Sequence, residues 1–282
     1  MGCLLPTLSP LLAKMEVRTG LGQDDRDAVL GLPFMMRKLG AGANIVRAGQ
    51  ETASCYALLA GFAYRHNIVK DGSRQILGIN LPGDLIDLQF AMLRPADNNV
   101  QALTAVEIAV IPLSAAIRLM RSRPAIAEAI WSDMLADMSV FKEWIANVGR
   151  RDARARIAHI ICELAVRQAA IGYGQGEGKG RGAGQADRCV LPMTQEQLAD
   201  TLGLTAVHIN RTLRRMDSEG LIKRGRRVVY IPDWNALAQA GDFSETYLHL
   251  PQRTVRDRVA TTLPNRQYGP TRHAEGAVRA WR

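Results

Sequence analysis

Several features are missing from this sequence, and each absence excludes a class of protein. No apolar run in its 282 residues reaches the roughly 18–20 residues that a helix needs to cross a bilayer. The four cysteines are scattered, without the spacing of a metal site or of a disulfide framework. There is no Ser/His/Asp order, no pair of carboxylates in an apolar segment and no phosphate-binding loop. We therefore expect a cytoplasmic protein that is not an enzyme, contacts no membrane and holds no metal or cofactor.

The residues that are present predict a packed core and an uneven distribution of charge. Hydrophobic residues make up 47% of the chain, and the net charge is +9. Residues 1–149 carry 14 basic and 14 acidic side chains, whereas residues 150–230 carry 15 basic and 8 acidic ones. The excess positive charge either faces phosphates or forms a solvated basic surface.

From about residue 31 to 113 the chain alternates short apolar segments with turn signals. Residues 56–64 form a strand pair that bends at Gly61, and Asp71-Gly72 is a hairpin signal. Pro82-Gly83-Asp84 marks another turn. Many short strands at this spacing predict a β sandwich or barrel.

A long amphipathic helix is predicted over residues 124–149. Its apolar residues recur every three or four positions as a narrow seam: Ile130, Met134, Met138, Phe141, Ile145 and Val148. Pairing with a second copy of the chain would bury this seam, and packing on the chain's own β domain is the alternative. Trp131 and Trp144 lie off the seam and could face the β domain.

Residues 194–215 have the pattern of two helices joined by a tight turn. Thr194 and Gln197 predict a capping box, Gly203 supplies the turn, and Thr205 can cap the second helix. The apolar residues of both helices would face inward: Leu198, Ala199, Leu202, Ile209 and Leu213.

The outer side of the second helix carries the candidate DNA-reading residues, because the beginning of such a helix meets base edges in the major groove. They are Val207, His208, Asn210 and Arg211. Residues 221–232 then predict a basic hairpin, or wing, with Lys223, Arg224, Arg226 and Arg227. The candidate contacts to the DNA backbone are Thr194, Thr205, Arg214, Arg215, Arg226 and Arg227.

Residues 25–240 resemble the Crp/Fnr family of bacterial transcription regulators. The resemblance rests on Leu81-Pro82-Gly83-Asp84-Leu85, on the seam helix before Gly149-Arg150-Arg151, and on the helix-turn-helix with its wing. It implies an α+β architecture: a β jelly-roll sensor domain like that of cyclic-nucleotide-binding proteins over 1–123, a dimerisation helix over 124–149 and a winged helix-turn-helix over 150–240. It also implies homodimers that bind palindromic double-stranded DNA and recruit or block RNA polymerase. Residues 241–282, beyond the resemblance, are expected to be a disordered basic tail.

The sensor region departs from the pattern of family members that bind cyclic AMP. Asp87 stands where those members have glycine, and no Arg-Ser-Ala stretch follows to hold a cyclic phosphate. Arg94 is either a cation for such a pocket or a surface arginine. Oxygen-sensing members need an N-terminal cysteine cluster for an iron–sulfur centre, and only Cys3 is present there. His66 is either a haem ligand or a structural histidine, and the effector remains unknown from the sequence.

The second helix of the helix-turn-helix also departs from the family pattern. Fnr-like members present Glu, Ser and Arg where this chain has Val207, Asn210 and Arg211. Arg211 retains the ability to bind guanine through two hydrogen bonds, while Val207 could contact a thymine methyl group. We expect a sequence-specific, homodimeric regulator gated neither by cyclic AMP nor by an N-terminal cluster. The alternative is a sensor whose specific DNA binding depends on an unidentified small molecule or on oxidation of Cys55, Cys162 or Cys189. The sequence assigns no function to the glycine-rich loop at 172–184.

Overall fold

The computed structural model describes residues 7–91, 93–173 and 187–251. Its N-terminal half contains two antiparallel sheets, with strand orders β1-β8-β3-β6 and β2-β7-β4-β5. The strands are β1 (Met35–Leu39), β2 (Asn44–Val46), β3 (Ser54–Ala60), β4 (Ala63–Ile68), β5 (Arg74–Asn80), β6 (Leu85–Ile86), β7 (Asn99–Ala102) and β8 (Val106–Pro112). Leu58, Val100 and Ile108 are fully buried between the sheets. The predicted β sandwich is confirmed.

The turns of the sandwich lie where the sequence predicts them. Gly61, between β3 and β4, has φ +83°, and a Cβ there would lie 2.2 Å from the Ala105 carbonyl oxygen. No residue with a side chain fits this position without moving the backbone. Asp71 and Gly72 connect β4 to β5, and the Asp71 carboxylate accepts from the Ser73 amide.

Helices pack against the sandwich. These are α1 (Ser9–Met15), α2 (Gln23–Leu30), α3 (Leu113–Ser122) and the long α4 (Pro124–Arg150), with a short 3-10 helix at Leu88–Ala91. Leu11 and Met15 of α1 pack in the same apolar cluster as Ile126 and Ala129 of α4. Among the described residues, no helix combines the length and apolarity that crossing a membrane requires.

The C-terminal half is helical, with a small sheet. It comprises α5 (Ala153–Ala170), β9 (Arg188–Val190), α6 (Gln195–Leu202), α7 (Ala206–Ser218), β10 (Lys223–Arg224), β11 (Val228–Tyr230), α8 (Trp234–Ala240) and a 3-10 helix at Glu245–Leu248. The sheet order is β10-β11-β9, so the predicted wing hairpin has a third strand from before α6.

One apolar core joins the two halves. Tyr64 and Ile79 of the sandwich belong to the same buried cluster as Trp144 of α4, Ile157 of α5 and Leu202 of α6. The winged helix therefore packs directly on the β sandwich.

The seam on α4 needs a correction. Met134, Met138 and Ile145 are exposed as predicted, but Ile130 is only 6% exposed because it packs in the core of its own chain. Phe141 and Val148 are half-buried and approach Gly78 and Gly203 of the same chain. Of the two tryptophans, Trp144 is buried but Trp131 is 67% exposed, so the expectation that both face the β domain is wrong for Trp131.

The predicted tail also begins later than expected. Residues 241–251 fold back onto the protein, since Leu248 is 1% exposed and the Tyr247 hydroxyl donates to Glu163 over 2.9 Å. The remainder of the predicted tail, 252–282, lies outside the described residues, as does most of the glycine-rich loop, 174–186.

Candidate nucleic-acid interface

The turn between α6 and α7 is fixed by local bonds that the sequence predicts. The Thr194 hydroxyl accepts from the Gln197 amide over 3.1 Å, and the Gln197 side chain accepts from the Thr194 amide over 2.9 Å, which completes the capping box. Gly203 ends α6 with φ +62°, a left-handed conformation that favours glycine. The Thr205 hydroxyl then caps α7 by accepting from the His208 amide.

The helix α7 separates a buried face from an exposed one. Ile209, Leu213 and Met216 are at most 7% exposed and anchor α7 in the core. On the opposite side Val207 is 79% exposed, and Arg211 and Arg214 are also exposed. The spacing 207, 211 and 214 places these three side chains along one edge of the helix.

The four predicted reading residues differ in their surroundings. Val207 and Arg211 point to solvent, and no ion pair involving Arg211 occurs in the described part of the chain. His208 and Asn210 are half-buried. Asn210 Nδ2 donates to Gln195 Oε1 over 2.8 Å, a contact that sequence analysis missed because the partners lie on different helices.

The four arginines among the predicted backbone contacts are all exposed: Arg214, Arg215, Arg226 and Arg227. Arg215 also pairs with Glu219 over 2.8 Å. In the wing, Arg224 pairs with Asp217 over 3.1 Å. The hydroxyls of Thr194 and Thr205 accept cap bonds, and each hydroxyl has a proton that it can still donate.

A buried glutamine and an arginine connect α5 to the wing sheet and to the helix-turn-helix. Gln168 of α5 bonds both backbone groups of Val190, donating over 2.8 Å and accepting over 2.9 Å, and so fixes β9. Arg156 donates to the Leu202 carbonyl over 2.8 Å and to the Arg151 carbonyl over 2.8 Å. Through these bonds α5 positions both the wing and the turn before α7.

Two residues at the start of β5 attach the helix-turn-helix to the sensor sandwich. Arg74 pairs with Asp200 of α6 at 2.7 and 2.8 Å, and the Gln75 side chain donates to the Thr201 carbonyl over 3.3 Å. The orientation of α6, and with it α7, is thus tied to the sandwich.

Comparison with known proteins agrees with this architecture. Residues 36–123 match the cyclic nucleotide-binding domain, and residues 155–240 match the Crp-like helix-turn-helix domain. The chain belongs to the Crp/Fnr family. As a member of this family, it is a DNA-binding transcription regulator and not an enzyme.

Individual relatives share low identity with this Crp/Fnr protein. Transcriptional activator protein FnrL of Cereibacter sphaeroides is 26% identical over 211 residues, covering 74% of this chain and 82% of that protein. The fumarate and nitrate reduction regulatory protein of Escherichia coli strain K12 is 24% identical, covering 84% and 91%. The solved structure of FixK2 from Bradyrhizobium japonicum has the same fold, with a TM-score of 0.64, 19% identity and coverage of 76% and 100%.

In this Crp/Fnr chain, two basic side chains of the same protein surround Asp84 in the turn Leu81-Pro82-Gly83-Asp84-Leu85. Lys14 of α1 donates to Asp84 over 2.7 Å, and Arg167 of α5 lies 3.7 Å from the same carboxylate. Burial opposes ionisation of Asp84, but Lys14 and Arg167 hold its pKa below the usual range. Arg167 also donates to the Ile79 carbonyl over 3.0 Å, and Lys14 lies 3.5 Å from Asp133 of α4. The cavity beside this turn has a volume of about 40 Å³.

The residues at this turn do not fit a cyclic phosphate. Asp87 has φ +67°, the conformation that favours glycine, and its side chain points into the protein, where it is 1% exposed. Neither carboxylate oxygen has a hydrogen-bond partner among the described residues. Burial raises the pKa of Asp87 to about 6, with Arg65 opposing the shift and Asp97 adding to it. A carboxylate at this position would repel a phosphate rather than hold it. Arg94, the candidate cation for such a pocket, is exposed.

The cysteines within the described residues are poor switches. Cys55, Cys162 and Cys189 are free and buried. Burial raises the pKa of Cys55 and of Cys162 to about 12, so neither thiol ionises near neutral pH.

No group of three or more His, Cys, Asp or Glu side chains within residues 7–91, 93–173 and 187–251 could hold a metal ion. His66 is buried, and burial lowers its pKa.

Proposed function

We propose that this protein is a homodimer that binds a palindromic operator and places α7 of each protomer in the major groove. In this proposal Val207, His208, Asn210 and Arg211 face the base edges. Arg214 and the wing residues Arg226 and Arg227 contact phosphates. The observation that carries the proposal is the exposed edge of α7, where Arg211 lies beside the 79% exposed Val207 on a helix whose other face is locked in the core.

An apolar stripe on α4 supports the homodimer. Trp131, Met134, Leu135, Met138 and Ile145 are between 43% and 74% exposed and lie on one side of the helix. Large exposed apolar patches on a single protomer are typical of interfaces, and tryptophan is common at their centres. We expect these five residues to face the partner protomer, in place of the six predicted from periodicity.

Three features support a regulator that is gated neither by cyclic AMP nor by an N-terminal iron–sulfur centre. Asp87 lies where a cyclic phosphate would be held, and Lys14 and Asp84 neutralise each other beside it. The 40 Å³ cavity is far below the roughly 300 Å³ of ordinary ligand pockets. Cys3 is the one cysteine in the first 54 residues, too few for a cluster. The small-molecule- or redox-gated alternative lacks a comparable observation in its favour.

The substitution Arg211→Ala tests the proposal. It removes two hydrogen bonds to one guanine, so affinity for the selected operator should fall by about 1–3 kcal/mol while dimerisation is unchanged. Fluorescence anisotropy with operator DNA and sedimentation measure the two effects. Arg37→Ala, an exposed arginine on β1, is the matched control and should leave affinity intact. Equal operator affinities of Arg211→Ala and Arg37→Ala would refute the assignment of α7 as the reading helix.

A further inference from the structure

The side chain of Asn210 is held by a residue of the other helix. Asn210 lies on α7 next to Arg211, and its Nδ2 donates to Oε1 of Gln195 over 2.8 Å. Gln195 is the first residue of α6 and is exposed. The two residues are fifteen positions apart and meet because α6 and α7 pack against each other.

Both residues of this hydrogen bond lie on helices that other contacts hold in place. On α6, the capping box between Thr194 and Gln197 encloses Gln195. On α7, Ile209 is 0% exposed and anchors the turn that carries Asn210. The bond is therefore set by the fold of the helix-turn-helix and does not depend on mobile loops.

The bond leaves Asn210 with a defined set of hydrogen-bonding groups. An asparagine amide has two N–H donors and one carbonyl acceptor. Gln195 takes one donor, so one N–H and Oδ1 remain for other partners. An asparagine binds adenine by accepting from N6 and donating to N7, which uses that same pair of groups. A 180° rotation of the Asn210 amide alone would turn Oδ1 toward Gln195 Oε1, where two acceptors would repel each other, so the reversed arrangement requires the Gln195 amide to rotate as well.

We propose that Gln195 is a positioning residue that restrains the Asn210 amide, with Oδ1 and one N–H free, and thereby favours adenine at the base that Asn210 faces. The inference rests on the proposed function, because it requires α7 in the major groove. Gln195 acts through Asn210 and need not touch the base.

Selection from a random duplex library, with the full-length protein and with variants at position 195, tests this proposal. In Gln195→Ala the amide can rotate, so the preference for adenine at the Asn210 position should fall by about fivefold or more, while the preferences set by Val207 and Arg211 stay. Gln195→Glu keeps an acceptor and should retain the adenine, with lower affinity at every sequence because its charge faces phosphates. Glu196→Ala, the neighbouring exposed residue of α6, is the control and should change no base preference.

A double-variant comparison separates positioning from general damage to the helix. In the background of Asn210→Ala, the further change Gln195→Ala should have no effect on base preference, because the residue it orients is gone. An unchanged adenine preference in Gln195→Ala would overturn the inference, and so would a wild-type operator without adenine at that position. Both outcomes leave the proposed function standing, whereas a wild-type protein that selects no operator would refute the two proposals together.

Discussion

Replacing Asp87 by asparagine should stabilise the protein, and the gain should depend on pH. Asp87 is buried without a hydrogen-bond partner among the described residues, and burial raises its pKa to about 6. In an unfolded chain the pKa of aspartate is about 3.9. Between these two values the folded state binds more protons than the unfolded state. The contribution of Asp87 to the stability of the folded protein therefore falls as pH rises from about 4 to 6 and levels off above that.

The magnitude follows from the difference between the two pKa values. About two pKa units at 1.4 kcal/mol each correspond to roughly 2–3 kcal/mol at neutral pH. Asparagine has no ionisable group and tolerates the left-handed conformation of residue 87. Asp87→Asn should thus be about 2 kcal/mol more stable than wild type at pH 7 and nearly equal to it at pH 4.

Urea unfolding at several pH values between 4 and 7.5 measures this difference. Asp24→Asn is the control, since Asp24 is exposed on α2, away from Asp87, and its replacement should change stability little at any pH. A gain for Asp87→Asn that is independent of pH, or largest at pH 4, would refute the account of Asp87 as a buried, unpartnered carboxylate.

Three further predictions follow from the interface, the contact between the two halves and the cysteines. Ile145→Asp should weaken dimerisation by about a hundredfold or more, because two like charges would meet in an apolar interface. Sedimentation should show monomers, while Ile68→Asp, at another exposed isoleucine on β4, stays dimeric. Arg74→Asp should lower the free energy of unfolding by about 1 kcal/mol, and adding Asp200→Arg should restore it, as measured by thermal unfolding; no restoration would argue against the ion pair. Alkylation at pH 8 should modify Cys55, Cys162 and Cys189 only after denaturation, as peptide mass spectrometry would show. Labelling of the native protein would contradict the burial of these thiols.

The helix-turn-helix was predictable because its signals are local. Thr194 and Gln197 cap α6 within one turn. The positive φ at the end of α6 favours glycine, which is Gly203, and Ile209 and Leu213 follow helical spacing. Each of these features depends on residues only a few positions apart, so the sequence alone defines both helices and the outward-facing edge.

The interface on α4 was predictable only in part. Periodicity shows which residues share a helix face but not which neighbour covers them. Ile130 is covered by α1 and the sandwich, and Phe141 approaches β5, whereas Trp131 and Leu135, on the adjacent edge, remain exposed. A helix that contacts its own domain and a partner needs two apolar faces, and a single seam does not separate them.

The contacts that tie the reading unit together were not predictable. Arg74 and Asp200 are 126 positions apart, and Gln195 and Asn210 meet only once both helices are placed. Asp87 was recognised as a departure from glycine, but its burial and the resulting pKa shift depend on the packing of the whole turn.

The central claim is tested most directly by selection from a random duplex library with purified, ligand-free protein at about physiological salt. The account predicts a palindrome whose half-sites lie about one helical turn apart, each containing a guanine for Arg211. Binding that is strongly salt-dependent and indifferent to sequence would contradict it, because the specific state would then require a ligand or a redox change.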